Sequence, residues 1–363
     1  MDKLTSKKRN SSIELLRIIA MLFIILSHYS VHGGFRLDTI NNDFNRYILQ
    51  VIILGNLGVD IFVLISGYFI VKSKYSFKKI IQLVSQVLCY SILFYIIFIL
   101  IGNTTFSVKS CIKAIFPTIF QEYWFFTTYI ILYLFTPYIN KFLNYIPRKI
   151  HFRLIVTMLI LWSIIPTFTT SDMCGNTVLQ FLMLYMIGAY IRLYPDNLLS
   201  SKKSISRILV ISCIILLLLS TLILDTILHK YSSYFYSRTS ILIVGLAIGL
   251  LITFLKFNIS SNKIINTIGG CTFGVYLIHD NNYVRSYLWV DTLKNYTYAD
   301  SNFMIVHILL SVISVFIVCT IIEFLHKKLL EKPFMKFVDK NYCNIKKCII
   351  NKFNYLSDKL LNS

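Results

Sequence analysis

Apolar residues fill this chain in long runs, and short polar segments carrying lysine or arginine separate them. A helix needs about 20 mostly apolar residues to cross the hydrocarbon of a bilayer. About ten stretches meet that length: 13–31, 49–71, 80–101, 123–140, 154–170, 177–194, 207–228, 235–255, 264–284 and 303–325. The pattern predicts an all-α polytopic membrane protein of about ten transmembrane helices. Past Pro333 it changes. Phe334, Phe337, Val338, Tyr342, Ile345, Ile349 and Phe353 recur at helical spacing, with Lys336, Lys340, Lys346 and Lys347 between them. That predicts a transmembrane domain over 1–332 and a basic amphipathic cytoplasmic helix over 333–363. The helix either lies on an anionic leaflet or docks on the protein itself.

Composition supports the membrane reading. Of 363 residues, 56% are hydrophobic and 14% charged, and the mean hydropathy is +0.68. A soluble domain is about 45–50% apolar and about 25% charged. The net charge of +20 raises nucleic acid as a partner. Clusters of basic residues between apolar runs set membrane topology instead, so no nucleic acid is expected. With the N-terminus inside, lysine and arginine favour the cytoplasmic segments by about three to one, which places both termini in the cytoplasm. The segment "MDKLTSKKRN" enters the first apolar run without a small-residue cleavage site, so Ile13 onward is expected to stay as a helix. The eight cysteines show no metal spacing, and no metal is expected. Cys89, Cys213, Cys271 and Cys319 read as core residues. Cys111 and Cys174 fall in outer loops, where a disulfide is the minor alternative.

The first span, "ELLRIIAMLFIILSHY", carries Arg17 and His28. Eleven residues of helix turn through about three full turns, so both side chains share a face about 16 Å apart. Glu14 can pair with Arg17 across three residues. Ionisable groups inside a bilayer are costly and face a cavity or a partner. The plainer readings are a snorkelling Arg17 and a packed, hydrogen-bonded His28. On the second span, "GNLGVDIFVLISGYFI", Asp60 sits mid-membrane, and Gly55 and Gly58 allow close backbone approach. The span runs back inward, so Asp60 and His28 can reach similar depth. That predicts a dyad in which Asp60 orients His28 as a general base.

"R-x10-H" followed by "GVDIFVLISGYF" resembles the acyltransferase-3 family of membrane acyltransferases. "WFFTTYIILYLFTPYIN", "YMIGAYIR", "FGVYLIHD" and "EKPF" resemble further segments of that family, in its order. The chain resembles the stand-alone transmembrane branch. The resemblance implies O-acylation, with acetyl foremost, of a surface or lipid-linked glycan at the bacterial cytoplasmic membrane, from cytoplasmic acetyl-CoA. His28 and Asp60 are then the catalytic pair. Arg17, Lys78 and Lys79 would handle the donor, the lysines standing where many relatives carry Arg-x-x-Arg. Lysine keeps the charge there and loses the bidentate fork. Trp124, Tyr129 and His279 are the candidates for the acceptor side. His279, on a span that runs outward to the depth of His28, reads equally as a structural histidine bonded across helices. Tyr283, Tyr287, Trp289, Tyr296 and Tyr298 crowd the last outer loop as an interfacial belt or a sugar platform. The competing class is a glycan or small-solute transporter or flippase, in which Arg17, Asp60 and His28 form a pathway. No convincing internal repeat favours it.

Overall fold

The computed structural model describes residues 9–169, 171–196, 203–228, 233–257 and 259–342. Lys3, Lys7, Lys8, Lys202 and Lys230, and the tail from 343 to 363, lie outside the described residues. Among the described residues every regular element is helical. The helices are α1 (Ser11–Val31), α2 (Asp43–Val51), α3 (Gly55–Ile70), α4 (Phe77–Leu100), α5 (Val108–Ile115), α6 (Trp124–Tyr145), α7 (Arg148–Leu159), α8 (Ile165–Phe168), α9 (Thr177–Leu193), α10 (Lys203–Thr226), α11 (Ile241–Leu255), α12 (Lys263–His279), α13 (Asn282–Ser286) and α14 (Met304–His326).

Each of the ten expected apolar stretches falls on a helix. Among the described residues six helical stretches are long and apolar enough to cross a membrane: Ser11–Val31, Asp43–Ile70, Phe77–Leu100, Arg148–Phe168, Ser204–Thr226 and Met304–Tyr342. The chain is a multi-pass membrane protein. Two departures from the sequence pattern have local causes. The stretch 49–71 is broken after Val51, and the helix restarts at Gly55. α7 joins α8 through a wide turn over Ile160–Ile164. Pro166 begins α8 and offers no N–H to the preceding turn, and a widened turn accommodates its ring. After α14 the helix continues through a second wide turn, Lys327–Glu331, as far as Tyr342. The described part of the expected C-terminal helix therefore extends the last span.

α1 and α3 form the centre, α1 packing on α3, α12 and α14, and α3 packing on α9. The α3–α9 contact is backbone to backbone. A Cβ added at Gly67 would strike the Tyr185 backbone, and one at Gly188 the Leu64 carbonyl. Gly58 rests in the same way on the Ala20 carbonyl of α1. Small residues give membrane helices this close approach, since lipid offers them no hydrophobic drive to associate. The outer helices turn apolar stripes outward, including Leu93, Ile96 and Leu100 on α4, Ile208, Ile211 and Leu219 on α10, and Leu309, Ile313 and Ile317 on α14. Buried carboxylates are answered from neighbouring helices. Asp225 of α10 accepts from Arg46 Nε at 3.0 Å and Gln50 Nε2 at 2.9 Å, both on α2. Glu323 of α14 accepts from Gln86 Nε2 at 2.9 Å and Tyr90 OH at 2.7 Å on α4. Cys111 and Cys174 are both free.

Gly188→Ala places a methyl group against a carbonyl that cannot yield without parting two central helices. Overpacking of this kind costs about 1–3 kcal/mol. A lowered melting temperature in detergent is expected, and an unchanged one would show that α3 and α9 separate easily.

Candidate active site

Asn10 caps α1, its side chain accepting from the Ser12 and Ile13 amides. The helix then runs unbroken to Val31, so Arg17 and His28 stay on one face, about 16 Å apart. A cavity lies at each of these two levels. The basic cavity, near the N-terminal end of α1, has a volume of about 260 Å³ and is lined by Arg9, Arg17, Lys79, Gln82, Tyr129 and Lys327 among others. The histidine cavity, toward the C-terminal end, also has a volume of about 260 Å³, and its walls include Ser27, His28, His32, Asn56, Trp124, Tyr276 and Asp280. Phe62, Phe125 and Phe273 line both cavities and form the wall between them. Their rings belong to one aromatic cluster. Phe62 and Phe125 centroids are 6.3 Å apart, and Tyr276 stands 5.5 Å from Phe125 and 6.3 Å from Phe273.

His28 Nδ1 lies 3.7 Å from Asp280 Oδ1. This is ion-pair range, longer than a hydrogen bond, and Nδ1 has no hydrogen-bond partner. Arg285 fixes the carboxylate, its Nε donating to Oδ1 at 3.0 Å and its Nη2 lying 2.8 Å from the same oxygen. Two further imidazoles surround His28. The ring of His32 is 4.9 Å away and edge-on, and that of His279 is 5.1 Å away. His279 is fully buried, with Nδ1 at 2.6 Å from the Val275 carbonyl. A carbonyl only accepts, so Nδ1 carries the proton and Nε2 keeps a lone pair. That Nε2 is without a partner in the structure.

Asp60 is fully buried on α3, but it neither lines the histidine cavity nor hydrogen-bonds His28. The carboxylate beside His28 is Asp280. The Arg238 guanidinium lies 4.7 Å from the centre of the Trp124 ring. Trp124 lines the histidine cavity and Tyr129 the basic one. Lys79 lines the basic cavity and sits over the Tyr133 ring at 5.2 Å. Lys78 turns away to pair with Asp339. Trp289 is fully buried, which removes it from any surface platform.

In the basic cavity Arg17 Nη1 donates to Glu14 Oε1 at 3.1 Å. Arg9 Nη1 donates to the Asn266 carbonyl at 3.1 Å. Lys327 contacts the Gly270 carbonyl and lies 3.3 Å from Glu323. Four cations thus face a space whose one lining carboxylate is Glu331, itself accepting from Gln82 Nε2 at 2.7 Å. Such a space suits a phosphorylated ligand. Two groups bring metal-ligating atoms within 4.8 Å of one another: His28, His32 and Asp280, and Glu323, His326 and Glu331. In the first, Arg285 already holds the carboxylate. In the second, Glu323 already accepts from Gln86 and Tyr90.

Sequence reasoning missed Asp280, Arg9, Lys327 and the three phenylalanines. Asp280 directly follows His279 in "FGVYLIHD", and a carboxylate next to a buried histidine was the available signal.

No curated protein and no solved structure matches the chain. The profile of the acyltransferase-3 family, described as an acyltransferase domain, matches residues 10–324. That span takes in the histidine cavity, the shared wall, the cluster around His28 and most of the basic cavity, of whose lining Arg9, Lys327 and Glu331 fall just outside it. The chain belongs to this family of membrane acyltransferases.

Proposed function

We propose that the protein is a membrane O-acyltransferase that moves an acyl group, acetyl foremost, from cytoplasmic acyl-CoA to a hydroxyl of a cell-surface or lipid-linked glycan. The observation that carries this reading is the pair of cavities along α1, one basic and one built on histidine, which share Phe62, Phe125 and Phe273 as a wall. The charge asymmetry of the loops supports an orientation with the basic cavity on the cytoplasmic side, where coenzyme A is. Arg9, Arg17, Lys79 and Lys327 answer the donor's phosphates there, and Lys78, paired to Asp339, is left out of that set. The thioester points toward the phenylalanine wall.

On the other side the acceptor hydroxyl meets His28. The hydroxyl oxygen attacks the thioester carbonyl as His28 takes its proton. The C–S bond breaks, and the proton passes to the departing thiolate. Asp280, held by Arg285, supports the imidazolium that forms between the two steps. His279 packs beside His28 and narrows its freedom. Asp60, buried on α3 and outside the histidine cavity, takes no direct part. A transporter would use the same intramembrane charges. Membership of an acyltransferase family weighs against it.

The test is acyl transfer from labelled acetyl-CoA in membranes matched for protein amount. His28→Ala removes a general base, so a loss of about 10²–10⁴ in rate is expected. Asp280→Asn should lower kcat substantially and leave the KM for acetyl-CoA near that of the wild type. If Asp280→Asn is silent and Asp60→Asn is not, the pairing of His28 with Asp280 has no part in the chemistry. Arg17→Lys keeps the charge and loses the fork, so it should raise the KM for acetyl-CoA more than it lowers kcat. Full activity in Arg17→Ala would remove the basic cavity from donor binding. Reporter fusions at Lys79 and Arg153 should read cytoplasmic and one at Lys109 external. The reverse pattern would put the histidine cavity on the donor's side.

A further inference from the structure

The histidine cavity does not end at the reacting centre. Ile53 and Asn56, which line it, also line a second and larger space of about 520 Å³, twice the volume of the first. This groove lies between the loop after α8, with Ser171 and Asp172, and the loop before α11, with Tyr234, Ser237 and Thr239. Its character differs from that of the cavity it joins. Beside two tyrosine rings it presents several hydroxyls, a carboxylate and a carboxamide, and these groups offer both donors and acceptors.

The groove is braced. Tyr234 OH donates to the Thr169 carbonyl at 3.0 Å and reaches the Pro166 carbonyl at 3.3 Å, tying its own loop to the opposite one. Asn56 Nδ2 donates to the Tyr236 carbonyl at 2.8 Å and fixes the junction with the histidine cavity. Arg238, between Ser237 and Thr239 in sequence, reaches back to stack on Trp124 of that cavity. A site held open in this way loses little freedom when it binds a ligand.

Resting on the acyltransferase reading above, we propose that this groove is an extended acceptor site for an oligosaccharide, holding sugars beyond the one that is acylated. A single sugar at His28 would occupy the histidine cavity and leave the groove unused. Neighbouring sugars of the same chain present many hydroxyls, which suits a polar groove whose contacts are shared with water. They also present apolar C–H faces, which suits the half-exposed Tyr234 ring. A lipid tail would desolvate the groove's polar groups without replacing their hydrogen bonds. The protein then selects its acceptor by chain as well as by the reacting hydroxyl.

The experiment measures transfer from labelled acetyl-CoA to two acceptors, with the full-length protein in membranes. One acceptor is the set of short oligosaccharides released by mild acid from the producing cell's own surface glycan. The other is the monosaccharide mixture from complete hydrolysis of the same material. Ser171→Trp fills the groove from an exposed loop position. It should raise the KM for oligosaccharide at least about tenfold more than the KM for monosaccharide, the loss of about 1.4 kcal/mol of binding. Thr239→Val keeps the shape and removes one hydroxyl, and should shift the same ratio in the same direction by about threefold, within the range of one neutral hydrogen bond. Parallel changes for the two acceptors in both variants would overturn the proposal, as would a wild-type protein with no preference for the oligosaccharide. A wild-type protein that acylates neither acceptor defeats the acyltransferase reading itself, and the groove's assignment falls with it.

Discussion

A charge inside hydrocarbon must be answered by another part of the protein, because no water is there to do it. The interior of this chain is arranged around that constraint. Asp225 draws Arg46 and Gln50 across from α2, and Glu323 draws Gln86 and Tyr90 from α4. Asp280 is held by Arg285 and stands against His28. Each cluster joins elements far apart in sequence, so the polar groups that are costly to bury also fix which helices are neighbours. The backbone contacts at Gly67 and Gly188 supply the closeness, and the carboxylates supply the identity of the partners.

The same constraint separates two kinds of site. Where a carboxylate's lone pairs are filled, as at Glu323, the cluster is a joint. Around His28 the requirement is left partly unmet. Its Nδ1 and the Nε2 of the neighbouring His279 are buried without hydrogen-bond partners. Unsatisfied groups of this kind are rare in a folded interior, and they gather where something else is meant to bind or react. The basic cavity shows a similar imbalance of sign, with Arg9, Arg17, Lys79 and Lys327 facing one carboxylate.

Much of this was legible in the sequence. Apolar length located a helix at each of the ten stretches, and helical arithmetic placed Arg17 and His28 on one face of α1, because both readings depend only on local geometry. Depth in the bilayer was a weaker guide. It brought Asp60 to the level of His28, and α3 does pack on α1, but depth says nothing of which way a side chain turns about the helix axis. Asp60 turns elsewhere, and the carboxylate that meets His28 comes from the end of α12, some 250 residues along the chain. Tyr129 failed in a related way. It is five residues past Trp124, more than a full helical turn, and so falls on the other side of the phenylalanine wall. The break at Ile52–Leu54 had no apolar signature, since all three residues there are aliphatic.

The shared wall has an electrical consequence. If the two cavities open to opposite sides of the membrane, as the proposed orientation has it, the shared residues Phe62, Phe125 and Phe273 would make up much of the insulating layer at this point. A transmembrane voltage falls mostly across the least conducting part of its path, so the field concentrates on these three rings. Moving one elementary charge through such a drop involves about 2.3 kcal/mol for every 100 mV. An acyl group is neutral and crosses without that work, while a proton, a phosphate or a metal ion does not. On the proposed reaction the wall would sort by charge, and the membrane potential would be kept while a carbonyl carbon changed sides.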